Sequence, residues 1–417
     1  MDERALRPPP RMRAWSFVLA FGTVSLLADF VYEGARSITG PLLASLGATG
    51  LLVGVVTGAG EAAALVLRLV SGPLADRTRR FWALTIGGYA LTLATVPFLG
   101  LTGVLWVVCA LVIAERVGKA VRSPAKDTML SHATAVTGRG RGFAVHEAMD
   151  QFGAVIGPLT VAGMLALTGG QYGPSLAVLA LPGTAALGLL AWLRTKVPHP
   201  LDYETPPAPA TAQAAAAGGP AGRRLPPAFW MYAAFTAMTM AGFGTFGVLS
   251  FHLVEHRVLS PAAVPLLYAA VMGIDAVTAL ATGWMYDRFG PRSLAALPLL
   301  AATVPVLAFT DSVPLAVTGA LVWGAALGIQ ESTLRATVAD LVPPARRATA
   351  YGIFAAVIGV ATLIGGTLAG ALYDVSITAL IAVAAVVQAA ALALLFRTTR
   401  PDPPHRPDFP ERLPEGN

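Results

Sequence analysis

The sequence predicts an all-α membrane protein with twelve transmembrane helices in two six-helix halves. Its 417 residues are 55% hydrophobic and only 12% charged, with a mean hydropathy of +0.65, whereas soluble domains carry about 25% charged residues. Apolar runs recur along the chain, each close to the ~20 residues that a helix needs to cross a bilayer. The predicted spans are 14–37, 50–75, 82–102, 104–122, 142–168, 174–194, 228–253, 261–286, 293–310, 313–334, 349–373 and 376–396.

A short charged motif occurs once in each half. Residues 72–77 read GPLADR and residues 283–288 read GWMYDR, each between two apolar runs and 211 residues apart. Residues 122–127 (RSPAKD) and 335–340 (RATVAD) repeat an Arg-x-x-x-x-Asp pattern at nearly the same offset. Two matches in one register predict parallel repeats, related by an axis along the membrane normal.

The positive charges predict the orientation. With the N-terminus inside, all but five of the 29 Lys and Arg residues fall in inner loops, the linker or the tails, and Arg257 is the one cation in an outer loop. Positive loops stay in the cytoplasm. The chain is therefore predicted to be a multi-pass protein of a bacterial inner membrane with both termini cytoplasmic, and its pI near 9.7 does not require nucleic acid.

The chain divides into five predicted regions. A cytoplasmic tail (1–13) precedes the first half (14–194), a Pro/Ala/Gly-rich linker (195–227) leads to the second half (228–396), and a Pro-rich, disordered tail (397–417) follows. The linker composition cannot bury enough apolar surface to fold. We expect function to lie between the two halves.

The first predicted helix carries two carboxylates on one face. Asp29 and Glu33 are four residues apart, with Arg36 beyond them. Such a pair in a medium of low dielectric constant is not readily ionised twice, which suits a proton carrier or a cation site. The alternative is an ion pair with Arg36 or Arg68 that only locks helices. Glu61 and Arg68 share a face of the second helix.

Predicted helices 4 and 5 add further ionisable groups. Arg116 lies within helix 4, while Lys119 and Arg122 are close enough to its end to reach the inner surface. His146 and Asp150 share a face of helix 5 and could relay protons, unless His146 is simply solvated. The following Gly153-x-x-x-Gly157-Pro158 pattern favours close helix contact and a bend.

The second half has fewer deep polar candidates. Asp275 in helix 8 and Gln330 and Glu331 in helix 10 are the clear ones. His252, near the outer end of helix 7, is predicted to be solvated. The single cysteine, Cys109, is predicted to pack in an apolar helix.

Together these features resemble the major facilitator superfamily over essentially the whole chain, and more narrowly a large bacterial subgroup of mostly unassigned substrate. The first hairpin is similar to the family motif G-x-x-x-D-R-x-G-R-K, with Arg79 where the motif has Gly, and the second has Pro291 where a basic residue is usual. The resemblance implies a cytoplasmic gate that holds the inner side closed; the alternative is a turn that only sets topology. The implied gate residues are Gly72, Asp76, Arg77, Arg80, Gly283, Asp287 and Arg288.

The resemblance also implies two features of proton-coupled exporters. Arg116 resembles the helix-4 arginine of the family's antiporters, although a structural role as partner of Asp76 stays open. The Gly153, Gly157 and Pro158 pattern resembles their antiporter motif.

The expected function is a proton-coupled antiporter that exports a small amphiphilic or drug-like molecule by alternating access. The six acids assigned to predicted spans (Asp29, Glu33, Glu61, Glu115, Asp150 and Asp275) outnumber the four bases (Arg36, Arg68, Arg116 and Lys119), which supports this expectation. A proton symporter or uniporter importing a metabolite is the alternative, and a membrane sensor or enzyme a remote one. No catalytic constellation, metal-ligand spacing or phosphate-binding loop is apparent, so we expect no enzyme, cofactor or metal. Expected partners are substrate, protons and the lipid bilayer, with the protein as a monomer.

Overall fold

The computed structural model describes residues 12–203, 225–343 and 346–398. Most of the predicted linker and both tails lie outside the described residues, as do the side chains of Asp287, Arg335 and Asp340. The helices are α1 (Ala14–Ser45), α2 (Gly50–Thr78), α3 (Phe81–Leu99), α4 (Leu105–Thr137), α5 (Arg139–Leu167), α6 (Tyr172–Lys196), α7 (Pro227–Glu255), α8 (Ala263–Phe289), α9 (Ala296–Ala308), α10 (Val313–Leu341), α11 (Arg347–Val375) and α12 (Ile377–Thr398). Short breaks interrupt α1, α2, α6 and α7.

The prediction of an all-helical, twelve-helix membrane fold is confirmed. Ten of the helices are long and apolar enough to cross a membrane. The ninth forms a shorter apolar helix with the turn before it, Arg292–Ala308. The remaining helix, α4, departs from the apolar pattern because four charged side chains lie close together near its middle, at residues 115, 116, 119 and 122.

Helix α4 is much longer than predicted. The expected end near residue 122 is wrong, because the helix continues through Pro124 to Thr137. The buried Arg122 side chain stacks over the Tyr89 ring, and Lys126 reaches Asp150 of α5. These contacts place both cations inside the bundle, so neither lies in an inner loop.

Each half has its own apolar core. In the first half, the rings of Phe17 and Phe21 stack and both meet the edge of Trp82. In the second half, Tyr232 stacks on Phe354. Buried aromatic side chains remove a large apolar area from solvent. These contacts therefore stabilise each half from within.

The two ends of the bundle differ in charge and packing. We call the end with Arg77, Arg80 and Arg194 the basic face, and the end with Gly50 and Asp374 the opposite face. Helices α2 and α11 run side by side between these faces.

At the opposite face, α2 and α11 meet backbone to backbone. A Cβ at Gly54 would collide with the carbonyl oxygen of Gly366, and one at Gly370 would collide with the carbonyl oxygen of Gly50. Asp374 adds a polar link, since its carboxylate accepts the backbone N–H groups of Gly50 and Leu51, each at 2.8 Å. A carboxylate at a helix N-terminus satisfies free amides and complements the helix dipole. The opposite face is therefore closed.

Gly54→Val is expected to prevent this closure, because the added side chain has no room against α11. The readout is labelling of Thr57→Cys, in a Cys109→Ser background, by a membrane-impermeant maleimide added at the opposite face. We expect faster labelling than in the parent. The control is Gly87→Val, since a Cβ at Gly87 meets no atom within 4 Å. Equal labelling in Gly54→Val and the control would contradict the close contact of α2 and α11 that closes the opposite face.

Candidate functional site

A cavity of about 580 Å³ lies between the two halves. It extends from the bundle centre to Tyr351, one turn from the start of α11 at the basic face. The wall from the first half carries the charged side chains Glu33, Arg36, Glu61, Arg68 and Lys119. The wall from the second half is mainly apolar and aromatic, with Met240, Phe243, Trp323, Leu327 and Phe354 beside Gln330 and Glu331.

Five charged groups form what we call the cavity network. Three of them line the cavity, and the other two, Glu115 and Arg116, belong to α4. Arg36 and Arg116 both bind Glu61 Oε1, each at 2.9 Å. Arg116 Nε also lies 3.0 Å from Glu115 Oε2, and Arg36 Nη1 lies 3.5 Å from Glu33 Oε1. Glu61 therefore joins α1 and α4 through two guanidinium groups.

Glu33 connects this network to the second half. The Tyr268 hydroxyl of α8 donates a hydrogen bond to Glu33 Oε2 at 2.5 Å. Only 7% of Glu33 is exposed. A further polar contact between the halves joins the hydroxyls of Thr57 and Thr245 at 2.8 Å. The ionisation state of Glu33 can thus affect how α1 holds α8.

Tyr32 is the aromatic centre of the cation cluster. Its hydroxyl accepts a hydrogen bond from Arg116 Nη1, whose guanidinium lies 4.5 Å from the ring centroid. Lys119 Nζ lies 4.0 Å from the same centroid. Over the described part of the chain, Lys119 has no carboxylate oxygen within 4.0 Å.

A second set of polar groups, the α4–α5 network, lies apart from the cavity. Lys126 Nζ is 3.6 Å from Asp150 Oδ2 and 3.1 Å from His146 Nε2. Arg122 Nη2 is 4.0 Å from Asp29 Oδ1. Asp29 therefore faces this network while Glu33 faces the cavity, so the structure separates the two acids that the sequence placed together.

The predicted second-half acids differ in surroundings. Asp275 is 2% exposed, and its Oδ1 has no hydrogen-bond partner among the residues that the structure describes. A Cβ at Gly328 of α10 would collide with the Asp275 carbonyl oxygen, so α8 and α10 are in close contact there. Glu331 lines the cavity instead.

The predicted glycine motif of α5 lies against α1. A Cβ at Gly153 would collide with the Leu26 carbonyl oxygen, and one at Gly157 with that of Phe30. Pro158 lies inside the helix. The motif therefore lets the backbones of α5 and α1 touch.

The predicted gate residues lie at the basic face. Asp76 is exposed and has no ion-pair partner within the described ranges. Arg77 and Arg80 are exposed too, and Gly72 lies beside Pro124 of α4.

The second copy of the hairpin is described only in part. The Arg288 guanidinium lies 5.7 Å from the Trp284 ring centroid, and a Cβ at Gly283 would meet no atom within 4 Å. The Asp287 side chain lies outside the described residues. The gate role of both hairpins stays a prediction.

Comparison with known proteins identifies the family. A sequence profile of the Major Facilitator Superfamily matches residues 22–274 and 237–415. The chain belongs to the major facilitator superfamily. An uncharacterized protein of Mycobacterium tuberculosis is 64% identical over 395 residues, covering 94% of this chain and 95% of that protein. An uncharacterized MFS-type transporter of Methanocaldococcus jannaschii is 25% identical over 372 residues, covering 86% and 89%.

Solved structures share the superfamily fold. A peptide transporter in complex with sulfate aligns with a TM-score of 0.71 at 16% identity, over 92% of this chain and 93% of that one. A bacterial homologue of the human lysosomal transporter Spinster aligns with a TM-score of 0.70 at 14% identity, over 92% and 95%. At such identities the likeness concerns the fold alone.

Two histidines of this superfamily member are buried. His146 is 3% exposed and bonds Ser25 Oγ at 3.2 Å through Nε2. His252 is fully buried, with its Nδ1 3.1 Å from the Tyr373 hydroxyl. The predicted solvation of His252 is therefore wrong, and of the two alternatives for His146 the solvated one is excluded, because each side chain contacts a neighbouring helix.

Sequence reasoning also missed Tyr32, the position of Lys126 inside the bundle, and the contact of Tyr268 with Glu33. Two signals were present. Tyr32 is four residues before Arg36, so it shares the charged face of α1. Lys126 continues the spacing of Lys119 and Arg122 along one helix face, which indicated that α4 did not end at the proline. Nothing in the sequence indicated that Tyr268 meets Glu33.

Proposed function

We propose that this chain is a proton-coupled secondary transporter that moves a small amphiphilic molecule across the membrane by alternating access. The cavity between the halves carries this proposal, because one wall is charged and the other apolar. Its volume falls within the ~300–1,000 Å³ of small-molecule sites. The closed opposite face and the position of the cavity toward the basic face suit one of two access states.

Glu33 supports proton coupling. Its carboxylate lies at the cavity and accepts the hydroxyl of Tyr268 from the other half. Adding a proton removes the charge that attracts Arg36 and weakens the hydrogen bond from Tyr268. Protonation therefore changes the interaction between the halves, as coupling requires. Asp275 and Asp150 are further candidate carriers, and an ionised Asp275 without a partner would be costly.

Antiport with export is the first proposal for the direction of coupling. The contact of Gly153 and Gly157 with α1 supports it, given the resemblance of that motif to exporters. The basic face would then be cytoplasmic by the positive-inside rule. Arg122 and Lys126 lie inside the bundle, however, which removes the excess of intramembrane acids that supported the expectation of a proton-coupled antiporter.

Symport with import is the second candidate. Lys119 favours it, because this cation lines the cavity without a carboxylate partner in the described structure. An anionic metabolite could use that charge.

The test is flux in proteoliposomes loaded with a pH-sensitive dye. Lipophilic cations, neutral drugs and organic anions are added with and without an imposed pH gradient. Proton movement opposite to substrate supports antiport, and movement with the substrate supports symport. Flux that is independent of the pH gradient would contradict proton coupling. Absence of flux with all of these compounds would contradict the proposed substrate class.

Asp76→Asn is expected to slow cycling roughly two- to tenfold, as for the loss of one charge at a helix end. The change removes the carboxylate proposed to close the basic face in the other access state. The measurement is the initial rate of transport at saturating substrate. Asp202→Asn, in the turn after α6, is the control. A rate equal to that of the control would show that the hairpin only sets the membrane topology.

A further inference from the structure

We infer that the substrate of the cavity is an amphipathic anion whose charged group binds at Lys119. This inference rests on the proposed transport function and specifies what is carried. Three features of the cavity support it: first-half acids that already have partners, a cation with no carboxylate oxygen within 4.0 Å among the described residues, and an apolar wall on the facing side.

The first-half carboxylates of the cavity are occupied. Glu61 holds Arg36 and Arg116, and both contacts are 2.9 Å. Glu33 accepts the Tyr268 hydroxyl and lies beside Arg36. A cationic substrate group would have to displace a guanidinium that is already bound. Breaking a partly buried ion pair of this kind is unfavourable.

Lys119, in contrast to these carboxylates, has no oppositely charged group within 4.0 Å among the described residues. Its ammonium group carries three donors, lies over the Tyr32 ring and lines the cavity. Arg68 lines the same wall, and its Nε donates to the Ala64 carbonyl oxygen at 3.0 Å. Arg116 is enclosed by Glu61 and Glu115. Lys119 is therefore the cation best placed for a carboxylate or phosphate group.

The second-half wall indicates the rest of the molecule. Phe243 and Trp323 stack with ring centroids 5.5 Å apart and both line the cavity. Aromatic side chains offer a large apolar contact, which suits a ring or chain. Glu331 lies on the same wall and would repel a second anionic group. The inferred ligand therefore carries its charge at one end.

Lys119 and Glu33 line the same cavity. An anion at Lys119 and an ionised Glu33 compete for the same local positive charge. Anion binding therefore favours the protonated carboxyl group, and by linkage a proton on Glu33 favours anion binding. Anion and proton would travel together, which selects symport from the two candidate couplings.

The test uses three probes with one apolar body: naphthoate, naphthalenemethanol and naphthylmethylammonium. Binding to the full chain in lipid nanodiscs is measured by calorimetry. We expect naphthoate to bind about tenfold more tightly than the alcohol, as for one charge-assisted hydrogen bond. Lys119→Gln removes this preference and Lys119→Arg retains it. Lys196→Gln, at the exposed end of α6, is the matched control.

The remaining outcomes separate this inference from the proposed function. Tighter binding of the ammonium probe overturns the anionic substrate and leaves amphiphile transport standing. Unchanged naphthoate affinity in Lys119→Gln overturns the site at Lys119. Failure of all three probes to bind overturns both the inference and the amphiphilic cavity.

Discussion

Glu33→Gln abolishes proton-coupled transport while the protein remains folded and inserted in the membrane. Glutamine keeps the shape of the side chain and can accept the Tyr268 hydrogen bond, but it cannot exchange a proton or attract Arg36. The coupling between a proton and the contact of the two halves is therefore lost. The measurement is substrate-driven pH change in proteoliposomes, which should fall to the level of empty vesicles.

Glu255→Gln is the matched control, since Glu255 is exposed at the C-terminal end of α7. Asp29→Asn is expected to have the smaller effect of the two helix-1 changes, because Asp29 faces Arg122 and not the cavity. Retained pH change in Glu33→Gln at the level of the control would remove Glu33 from the coupling mechanism.

Arg116→Met lowers the free energy of unfolding by about 3–5 kcal/mol, the usual cost of removing one partner from a buried ion network. Arg116 binds Glu61 and Glu115 and donates to Tyr32. Without it, Glu115 loses its ion-pair partner in α4, and Glu61 retains only Arg36. The measurement is the midpoint of thermal unfolding in detergent, which should fall by several degrees.

Two further variants serve as the control and the rescue for Arg116→Met. Arg194→Met changes an exposed arginine at the end of α6 and should shift stability by less than about 0.5 kcal/mol. Adding Glu115→Gln to Arg116→Met should recover part of the loss, because the carboxylate that lost its ion-pair partner is then no longer charged. An unfolding midpoint for Arg116→Met equal to that of Arg194→Met would show that the network does not stabilise the fold.

Most of the fold could be predicted because a membrane limits the choices. Apolar runs of spanning length must form helices there, and the repeated hairpins indicated two halves. The end of α4 could not be predicted in this way. Pro124 removes one backbone donor and usually ends a helix, but contacts of Arg122 and Lys126 with other helices hold α4 together beyond it.

The candidate site was predictable only in part. Rare intramembrane charges identified Glu33, Glu61 and Arg116 as important from the sequence alone. Which charges meet depends on helix rotation and on contacts across the two halves. Spacing along α1 grouped Asp29 with Glu33, yet the packing of α4 and α5 assigns them to different networks. The partner of Glu33 in α8 is 235 residues away in sequence, beyond the reach of local patterns.

The most direct test of the central claim is access to the cavity from each side of the membrane. Ala355 lines the cavity, so Ala355→Cys in a Cys109→Ser background can be labelled with a membrane-impermeant maleimide in cells and in inverted vesicles. We predict labelling from the basic face at rest, and additional labelling from the opposite face while transport is driven. Ala316→Cys, in the buried second-half core, should stay unlabelled. Labelling of Ala355→Cys from one side under every condition would contradict alternating access.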